Sequence, residues 1–332
     1  MMRSGSFALE KPVISVVVEG YNESLTFEAV DVMEGLQKQR FSLDRVEVVL
    51  IGSAAQVARW REVYGAGSPF YRVEMVEAEG AYYFELKNKG ASVASANIVA
   101  LTDCDVYPEP SWLSTIVEGV EAGADVVTGV SLFRSRGGRG SDHPLLQVAA
   151  SITWAPLLEG RTNRGSMCAR GFQAHNVAFR SSILRSHQFR TDLHQKVAGV
   201  FLPAALHRSG IEIMLQPEQR VAHSITPGWW LRLHVRFGYE LHLLRRQEES
   251  WPHRWVRKTW LLEPPLTALW HAAMDGSRWF SYGRLIGAGR ARRWVLLPVV
   301  LGMSAVARSA EMIGMYGAIL APERMARFAA SV

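Results

Sequence analysis

Two carboxylates stand two residues apart, at Asp103 and Asp105, directly after an apolar run that is typical of a buried strand. Like charges at the end of a buried strand repel one another unless a cation lies between them. Mg²⁺ and Mn²⁺ favour carboxylate oxygens and are commonly shared with substrate phosphates. The pair therefore predicts a metal site that binds a diphosphate, although a solvated loop or a helix cap would use the same residue types.

The segments around this pair alternate between strand and helix patterns. Apolar, β-branched runs predict strands at residues 13–18, 45–51, 71–76 and 98–102, and the segments between them include predicted helices at 56–64 and 87–96. Such alternation favours an α/β fold with a mainly parallel sheet. Ligands of these sheets gather beyond the carboxyl ends of the strands, where Asp103 and Asp105 lie.

Composition limits the class of protein. The 332 residues can bury one large core or two modest ones. Cys104 and Cys168 cannot form a disulfide framework, and no Cys/His cluster has zinc-ligand spacing, which favours a reducing cytosol. The short apolar run that ends at Glu19 has no small-residue cleavage site, so a signal peptide is not expected.

The C-terminal third is basic and rich in tryptophan. Residues 225–332 contain 15 Lys or Arg and 7 Asp or Glu, together with eight of the eleven tryptophans. Arg and Trp together suit an interface at which one end of a side chain is wet and the other is not. A plain basic surface is the alternative. No known nucleic-acid-binding motif occurs, so we do not expect a nucleic-acid partner.

Four stretches of the chain resemble the family 2 inverting glycosyltransferases with the GT-A fold. They are an opening strand with a Tyr-Asn-Glu turn (12–23), an Asn-x-Gly helix (87–96), an Asp-x-Asp motif (102–105) and an acceptor-side segment ending in Ala-Phe-Arg (171–180). The resemblance implies a Rossmann-like GT-A domain at residues 1–224, with a mainly parallel sheet flanked by helices. Residues 225–332 would form a helical, basic, Trp-rich extension.

The resemblance also implies a substrate class and a set of site residues. The donor would be a nucleotide-diphosphate sugar, the acceptor a glycan or a lipid-linked molecule, and the cofactor Mn²⁺ or Mg²⁺. The implied donor-binding residues are Glu19, Tyr21, Glu23, Lys87, Asn88 and Asp103. The implied metal ligands are Asp103, Asp105 and His223, and the implied acceptor-side residues are Gly171 and Asn176. His223 would alternatively cap the end of a strand.

Two tryptophans are further acceptor-side candidates. Trp229 and Trp230 follow His223 closely, and aromatic faces suit the C–H faces of a pyranose. Core packing explains them equally well. Residues 152–158, which include Trp154, predict a helix near the acceptor.

The resemblance fails at the catalytic base. Where the family has Glu-Asp, this chain has Ala198-Gly199, and neither residue accepts a proton. Asp192 is the nearest carboxylate, and His175 and His194 also titrate in the useful range. The alignment would otherwise be displaced, or the chain would be a noncatalytic relative that binds a nucleotide or another protein. Gly52-Ser53 replace the acidic residues that read the base, so no nucleobase is predicted.

The tail raises the question of a membrane. The apolar segment at 294–307 is about 14 residues long, whereas a membrane span needs about 20. Preceded by Arg290, Arg292 and Arg293, it predicts a helix at an anionic membrane surface. A buried helix pair, packed on the catalytic domain or on a second subunit, is the alternative. We expect a cytoplasmic protein, peripheral at the inner membrane face, that transfers a single sugar because the processive Gln-x-x-Arg-Trp signature is absent.

Overall fold

The computed structural model describes residues 11–21, 29–65, 67–134, 144–161, 165–193, 196–224, 226–247, 261–286 and 288–332. Glu23 and His194 lie outside the described residues, so their predicted roles stay predictions.

A single mixed sheet forms the centre of the described chain. Its strands are β1 (Ile14–Glu19), β2 (Val46–Gly52), β3 (Arg72–Glu77), β4 (Ile98–Asp103), β5 (Val106–Pro108), β6 (Val126–Arg134), β7 (Leu158–Arg161), β8 (Met167–Ala169), β9 (Val177–Arg180) and β10 (Ile213–Ser224). The strand order is β3-β2-β1-β4-β9-β6-β10-β8-β7, and β5 pairs with β10.

Helices cover both faces of the sheet and continue beyond it. They are α1 (Val30–Gln37), α2 (Ala54–Tyr64), α3 (Tyr83–Val93), α4 (Trp112–Glu121), α5 (Pro144–Ile152), α6 (Ser181–Ser186), α7 (Phe201–Arg208), α8 (Pro227–Gln247), α9 (Glu263–Leu285), α10 (Arg290–Leu320) and α11 (Pro322–Ala330). Two 3₁₀ helices occupy Leu43–Arg45 and Lys196–Val200.

The strands are apolar on both sides because a helical layer packs on each. On β1, Val16 and Val18 belong to one core with Trp60 and Trp112 of α2 and α4, whereas Val17 belongs to the other. The second core contains α3, α6 and α7 residues. This two-sided burial explains why the strand sequences are continuous apolar runs rather than alternating ones.

The predicted α/β architecture is confirmed, with two differences in detail. The part β3-β2-β1-β4 is parallel as expected, but β9 runs antiparallel between β4 and β6. The predicted helix at 152–158 is wrong, because α5 ends at Ile152 and β7 begins at Leu158. Pro156 lies between them, and proline cannot donate the backbone hydrogen bond that a helix requires.

Helices α8 to α11 form the C-terminal extension. One helix of the described chain, α10, is long and apolar enough to cross a membrane by length and composition, with a mean hydropathy of 1.5 and 33% of its best window buried. It packs on α5, α8 and α9. Arg308 and Glu311, which end the apolar run in the sequence, are both buried inside this helical layer.

Helices α8 and α10 approach so closely that their contact requires glycine. A Cβ atom at Gly238 would lie 1.9 Å from the Glu311 carbonyl oxygen, and one at Gly314 would lie 1.9 Å from the Val235 carbonyl oxygen. The obstacle is backbone in both cases, so no side-chain rotation relieves it.

We predict that Gly314→Ala lowers the free energy of unfolding by about 3 kcal/mol, because overpacking at this contact displaces α10 from α8. Gly302→Ala is the matched control. Gly302 lies on the same helix, and a Cβ atom there would have no neighbouring heavy atom within 4 Å. Alanine at that position is therefore neutral or stabilising by up to about 1 kcal/mol. Urea unfolding of both variants measures the difference, and equal stabilities would contradict the close-contact interpretation.

Candidate active site

The ends of neighbouring strands bring the predicted acids together. β1 and β4 are parallel neighbours in which Glu19 pairs with Asp103 in register. Asp105 lies in the turn after β4, and His223 on β10 pairs with Val106 of β5. His175 precedes β9, which borders β4. The carboxyl edge of the sheet therefore collects residues that lie far apart in the chain.

Asp103 is held by two buried neighbours on α3. The Lys87 ammonium lies 2.6 Å from Asp103 Oδ1, and the Tyr83 hydroxyl lies 3.0 and 3.1 Å from the two carboxylate oxygens. Burial raises the pKa of Asp103, but the charge of Lys87, aided by His175 and His223, outweighs it and leaves the pKa below its ordinary value. Asp103 is thus an anion in the protein, positioned by α3.

Asp103, His175 and His223 form a buried Asp–His–His cluster whose ligand atoms all lie within 4.8 Å of one another. Nε2 of His175 and Nδ1 of His223 are buried and have no hydrogen-bond partner in the described chain. Burial and the neighbouring His223 lower the pKa of His175 to about 3, so its imidazole is neutral. One carboxylate and two unprotonated imidazoles at this spacing fit a divalent transition-metal ion.

Two further acids border the cluster. Asp105 is fully buried, with its Oδ1 3.7 Å from His223 Nε2. Burial raises the pKa of Asp105, partly offset by His223, and Asp103 raises it further. Glu19 is buried beside Asp103, and burial with this neighbour raises the pKa of Glu19 well above its usual value. A cation at the cluster would favour the ionised form of both acids.

A cavity of about 520 Å³ opens beside the cluster. Asp103, His175 and His223 lie on one side of it. Lys196 also lines the cavity, with its ammonium 5.2 Å from the ring centre of Tyr21 and 5.4 Å from that of Tyr83. Burial lowers the pKa of Lys196, as does Arg236.

The opposite part of the cavity is built by the C-terminal helices. Its polar lining residues on α9 and α10, called here the α9–α10 wall, are His271, Arg278, Arg308 and Glu311. Residues of α8 also line the cavity, and Trp154 stands between the two sides, 6.2 Å from the His223 ring and 6.1 Å from the His234 ring. The predicted C-terminal extension therefore contributes directly to this cavity.

The predicted donor residues divide into two groups. Asp103 lines the cavity, and Lys87 and Tyr21 lie next to residues that do. Glu19 accepts a hydrogen bond of 2.7 Å from the Tyr21 backbone amide and so shapes the turn after β1. Asn88 faces away from the cavity, since its amide bonds to both backbone groups of Phe189 at 2.8 and 3.1 Å. It positions a loop, as the resemblance implied.

The predicted acceptor residues also divide. Gly171 and Trp229 line the cavity, and the Trp229 ring lies nearly parallel to that of His223 at 6.3 Å. Trp230 is buried in a core cluster with Phe133 and Ala307.

Asn176 is fully buried, away from the residues that line the described cavity. Its amide is bonded by Trp112 at 2.8 Å and by Gln219 at 3.1 Å. It ties β9 to α4 and β10, so its observed contacts are structural.

The segment that lacks the family's base lies at the cavity. Gly199 lines it and Ala198 is buried. A Cβ atom at Gly199 would lie 2.9 Å from the Phe84 ring. The Asp192 side chain is 61% exposed and bonds to Arg190, and it is not among the residues that line the described cavity.

Sequence reasoning missed several lining residues. Tyr83 and Lys196 lie near recognised motifs, and a search for buried polar residues beside Asp103 would have found Tyr83 one helical turn before Lys87. His175 was considered as a titrating group but not as a metal ligand. The α9–α10 wall had no local signal, because its residues meet the site through long-range packing alone.

Comparisons with known proteins agree with this arrangement. Residues 15–187, more than half of the chain, match the model of Glycosyl transferase family 2. The chain belongs to glycosyl transferase family 2. Among curated proteins, no sequence matches it.

Solved structures share the GT-A fold. The mannosyltransferase PcManGT from Pyrobaculum calidifontis, in complex with GDP-Man and Mn²⁺, is 17% identical with a TM-score of 0.54, covering 93% of this chain and 88% of that one. GalNAc-T7 with UDP, GalNAc and Mn²⁺ is 12% identical with a TM-score of 0.50, covering 68% and 47%. S. aureus TarS 1-349 in complex with UDP-GlcNAc is 15% identical with a TM-score of 0.49, covering 92% and 91%.

We predict that His175→Gln weakens Mn²⁺ binding by at least about tenfold in the absence of nucleotide, because the cluster loses one of its three ligands. Electron paramagnetic resonance of free Mn²⁺ measures the affinity. His187→Gln is the control, since His187 is exposed and bonds to Ser186 and Ser209. Equal Mn²⁺ affinity of the wild type and the His175 variant would exclude His175 from the site.

Proposed function

We propose that this glycosyl transferase family 2 member moves a single sugar, with inversion, from a nucleotide-diphosphate donor to a hydroxyl of a glycan or lipid-linked acceptor. The observation that carries the proposal is the buried Asp–His–His cluster at the strand ends, facing a cavity large enough for a nucleotide sugar. PcManGT and GalNAc-T7 share the fold, and both structures contain Mn²⁺ with a sugar nucleotide or its products.

The donor end of the cavity has the charges that a diphosphate needs. A divalent ion bound by Asp103, His175 and His223 would neutralise the charge that develops on the leaving diphosphate. Lys196 adds a cation beside the Tyr21 turn. Because two of the three cluster ligands are imidazoles, we expect Mn²⁺ to bind more tightly than Mg²⁺. Asp105 supports the cluster through His223.

The proposed noncatalytic alternative rests on Ala198 and Gly199. It would retain donor binding without turnover. The cavity supports the catalytic interpretation more strongly, because it extends past the donor end to a polar wall that could receive an acceptor.

A donor panel tests the function. With Mn²⁺ present, we expect one or a few nucleotide sugars to bind and to release their nucleoside diphosphate, and Asp103→Asn to abolish both effects, since it removes the anionic cluster ligand. Calorimetry measures binding, and chromatography measures release. Failure of every donor to bind would contradict the proposal, whereas binding without release under any acceptor condition would favour the noncatalytic alternative.

We also propose that the protein works in the cytoplasm as a peripheral protein at the inner face of the membrane. Large apolar side chains on the outer faces of α9 and α10 are exposed, among them Leu269 (68%), Trp270 (59%), Trp294 (60%) and Val295 (73%). The acids of these two helices, Glu263, Asp275 and Glu311, are all buried. The arginines Arg284, Arg290 and Arg292 are exposed at the turn between the helices.

An exposed apolar face without an acid, next to exposed arginines, complements an anionic lipid surface. The same helices carry the α9–α10 wall on their inner side. A lipid-linked acceptor could therefore enter the cavity from the membrane without leaving it.

We predict that Val295→Glu weakens binding to phosphatidylglycerol-containing vesicles by at least about tenfold, because it replaces buried apolar contact with a charge that the surface repels. Val63→Glu is the control, because Val63 is 52% exposed on α2, on the GT-A domain. Vesicle co-sedimentation measures both variants. Equal recovery of wild type and the Val295 variant would exclude this face as the lipid contact.

A further inference from the structure

An inverting transfer to a hydroxyl requires a group that removes the acceptor proton, and the family's usual carboxylate is absent here. The cavity offers two carboxylates and three imidazoles among its described lining residues: Asp103, Glu311, His175, His223 and His271. Asp103 is bonded to Lys87 and Tyr83. The imidazoles of His175 and His223 belong to the Asp–His–His cluster.

Glu311 is likewise committed to other groups. Its Oε1 accepts a hydrogen bond from Arg308 Nη1 and one of 2.9 Å from His234 Nδ1. Its Oε2 lies 3.0 Å from His271 Nδ1. Burial raises the pKa of Glu311, but Arg308, His234 and His271 together hold that pKa well below its usual range. The carboxylate is therefore anionic and acts only as an acceptor.

This contact determines which nitrogen of His271 carries the proton. Because anionic Glu311 can only accept, Nδ1 of the neutral imidazole must be the donor, which leaves the lone pair on Nε2. Nε2 has no hydrogen-bond partner in the described part of the chain, and the side chain is 26% exposed where it lines the cavity. A carboxylate that orients an imidazole while its other nitrogen faces a substrate cavity is the arrangement of a general base.

The surroundings hold this pair rigidly. Arg308, which binds Glu311, also donates to both oxygens of Asp275 at 2.9 Å and to the Thr153 carbonyl oxygen at 3.1 Å. Arg278 binds Asp275 at 2.7 Å. Helices α9 and α10 are thus joined by buried ion pairs on either side of His271.

The position also suits the stereochemistry. His271 comes from α9, in a different wall of the cavity from the strands that carry Asp103 and His223. In a displacement with inversion the acceptor attacks from the face opposite the leaving diphosphate. The base is therefore needed on the side away from the metal ligands, and Lys196, which lies beside Tyr21 and Tyr83 at the donor end, does not meet this requirement.

We propose that His271, oriented by Glu311, is the general base of this transferase, an inference that rests on the proposed function. Nε2 of His271 takes the proton of the acceptor hydroxyl as the acceptor oxygen forms its bond to the anomeric carbon. The bond from that carbon to the diphosphate oxygen breaks, and its electron pair leaves with the nucleoside diphosphate. The imidazolium is stabilised by Glu311 and later releases its proton to solvent. The C-terminal extension thereby supplies the acceptor-side catalytic group that the 198–199 segment lacks.

The test compares full-length wild type with His271→Gln and His271→Ala. Each is assayed with Mn²⁺ and the donor that the panel identifies, using n-octyl β-D-glucoside as a hydroxyl probe and water alone as a second probe. We expect kcat for nucleoside diphosphate release to fall about 10²–10⁴-fold in both variants. Donor and Mn²⁺ affinities stay at their wild-type values, which also shows that the variants fold. Added imidazole restores part of the kcat of His271→Ala and leaves the wild type unchanged.

His187→Gln is again the control and retains wild-type kcat. Unchanged kcat in the His271 variants, or a loss confined to donor affinity, would overturn the assignment. These outcomes are distinct from a failure of the proposed function, in which wild-type protein itself would release no nucleoside diphosphate from any donor.

Discussion

The burial of three carboxyl groups at one edge of the sheet is the constraint on which the site depends. Glu19, Asp103 and Asp105 lie together because β1 and β4 are adjacent and in register. Removing an isolated carboxylate from water costs many kcal/mol unless a counter-charge is near. Lys87 supplies that counter-charge to Asp103, whereas the pKa values of Glu19 and Asp105 are raised by burial and by their acidic neighbour. The edge of the sheet is thus built to attract a cation.

The cavity beside this edge depends on a second constraint, the close packing of the C-terminal helices. Gly238 and Gly314 allow the backbones of α8 and α10 to touch, which fixes where the α9–α10 wall stands relative to the strands. The buried ion pairs of Arg308 with Asp275 and Glu311 link α9 to α10 across that wall. Substrate chemistry and membrane contact would therefore use opposite sides of the same two helices.

The residues gathered at the strand ends were largely predictable from the sequence. Asp103, Asp105 and His223 were expected together because the carboxyl ends of parallel strands share one edge. His175 as part of the metal cluster was not, since its proximity to Asp103 arises from antiparallel β9 inserting beside β4. Strand order of this kind is set by the whole sheet, and no local pattern in residues 171–180 reveals it.

The C-terminal helices show the same limit of local patterns. Arg308 and Glu311 looked like the polar end of a short apolar segment, yet each finds its ion-pair partner inside the helical layer. Trp229 and Trp230 are adjacent in sequence, but successive residues on a helix point about 100° apart. One therefore faces the cavity and the other the core. Asn176 matched an acceptor-side motif and instead bonds to Trp112 and Gln219, because a buried amide with several partners serves the sheet equally well.

The central claim, that the buried acids and imidazoles hold a divalent ion, is tested most directly by crystals grown with Mn²⁺ and measured for anomalous scattering. The account predicts one strong anomalous peak bounded by the Asp103 carboxylate and the imidazoles of His175 and His223, with Mn–ligand distances near 2.2 Å, about the length of such bonds to nitrogen and oxygen. Absence of a peak there, with Asp103 still paired to Lys87 at saturating Mn²⁺, would contradict it.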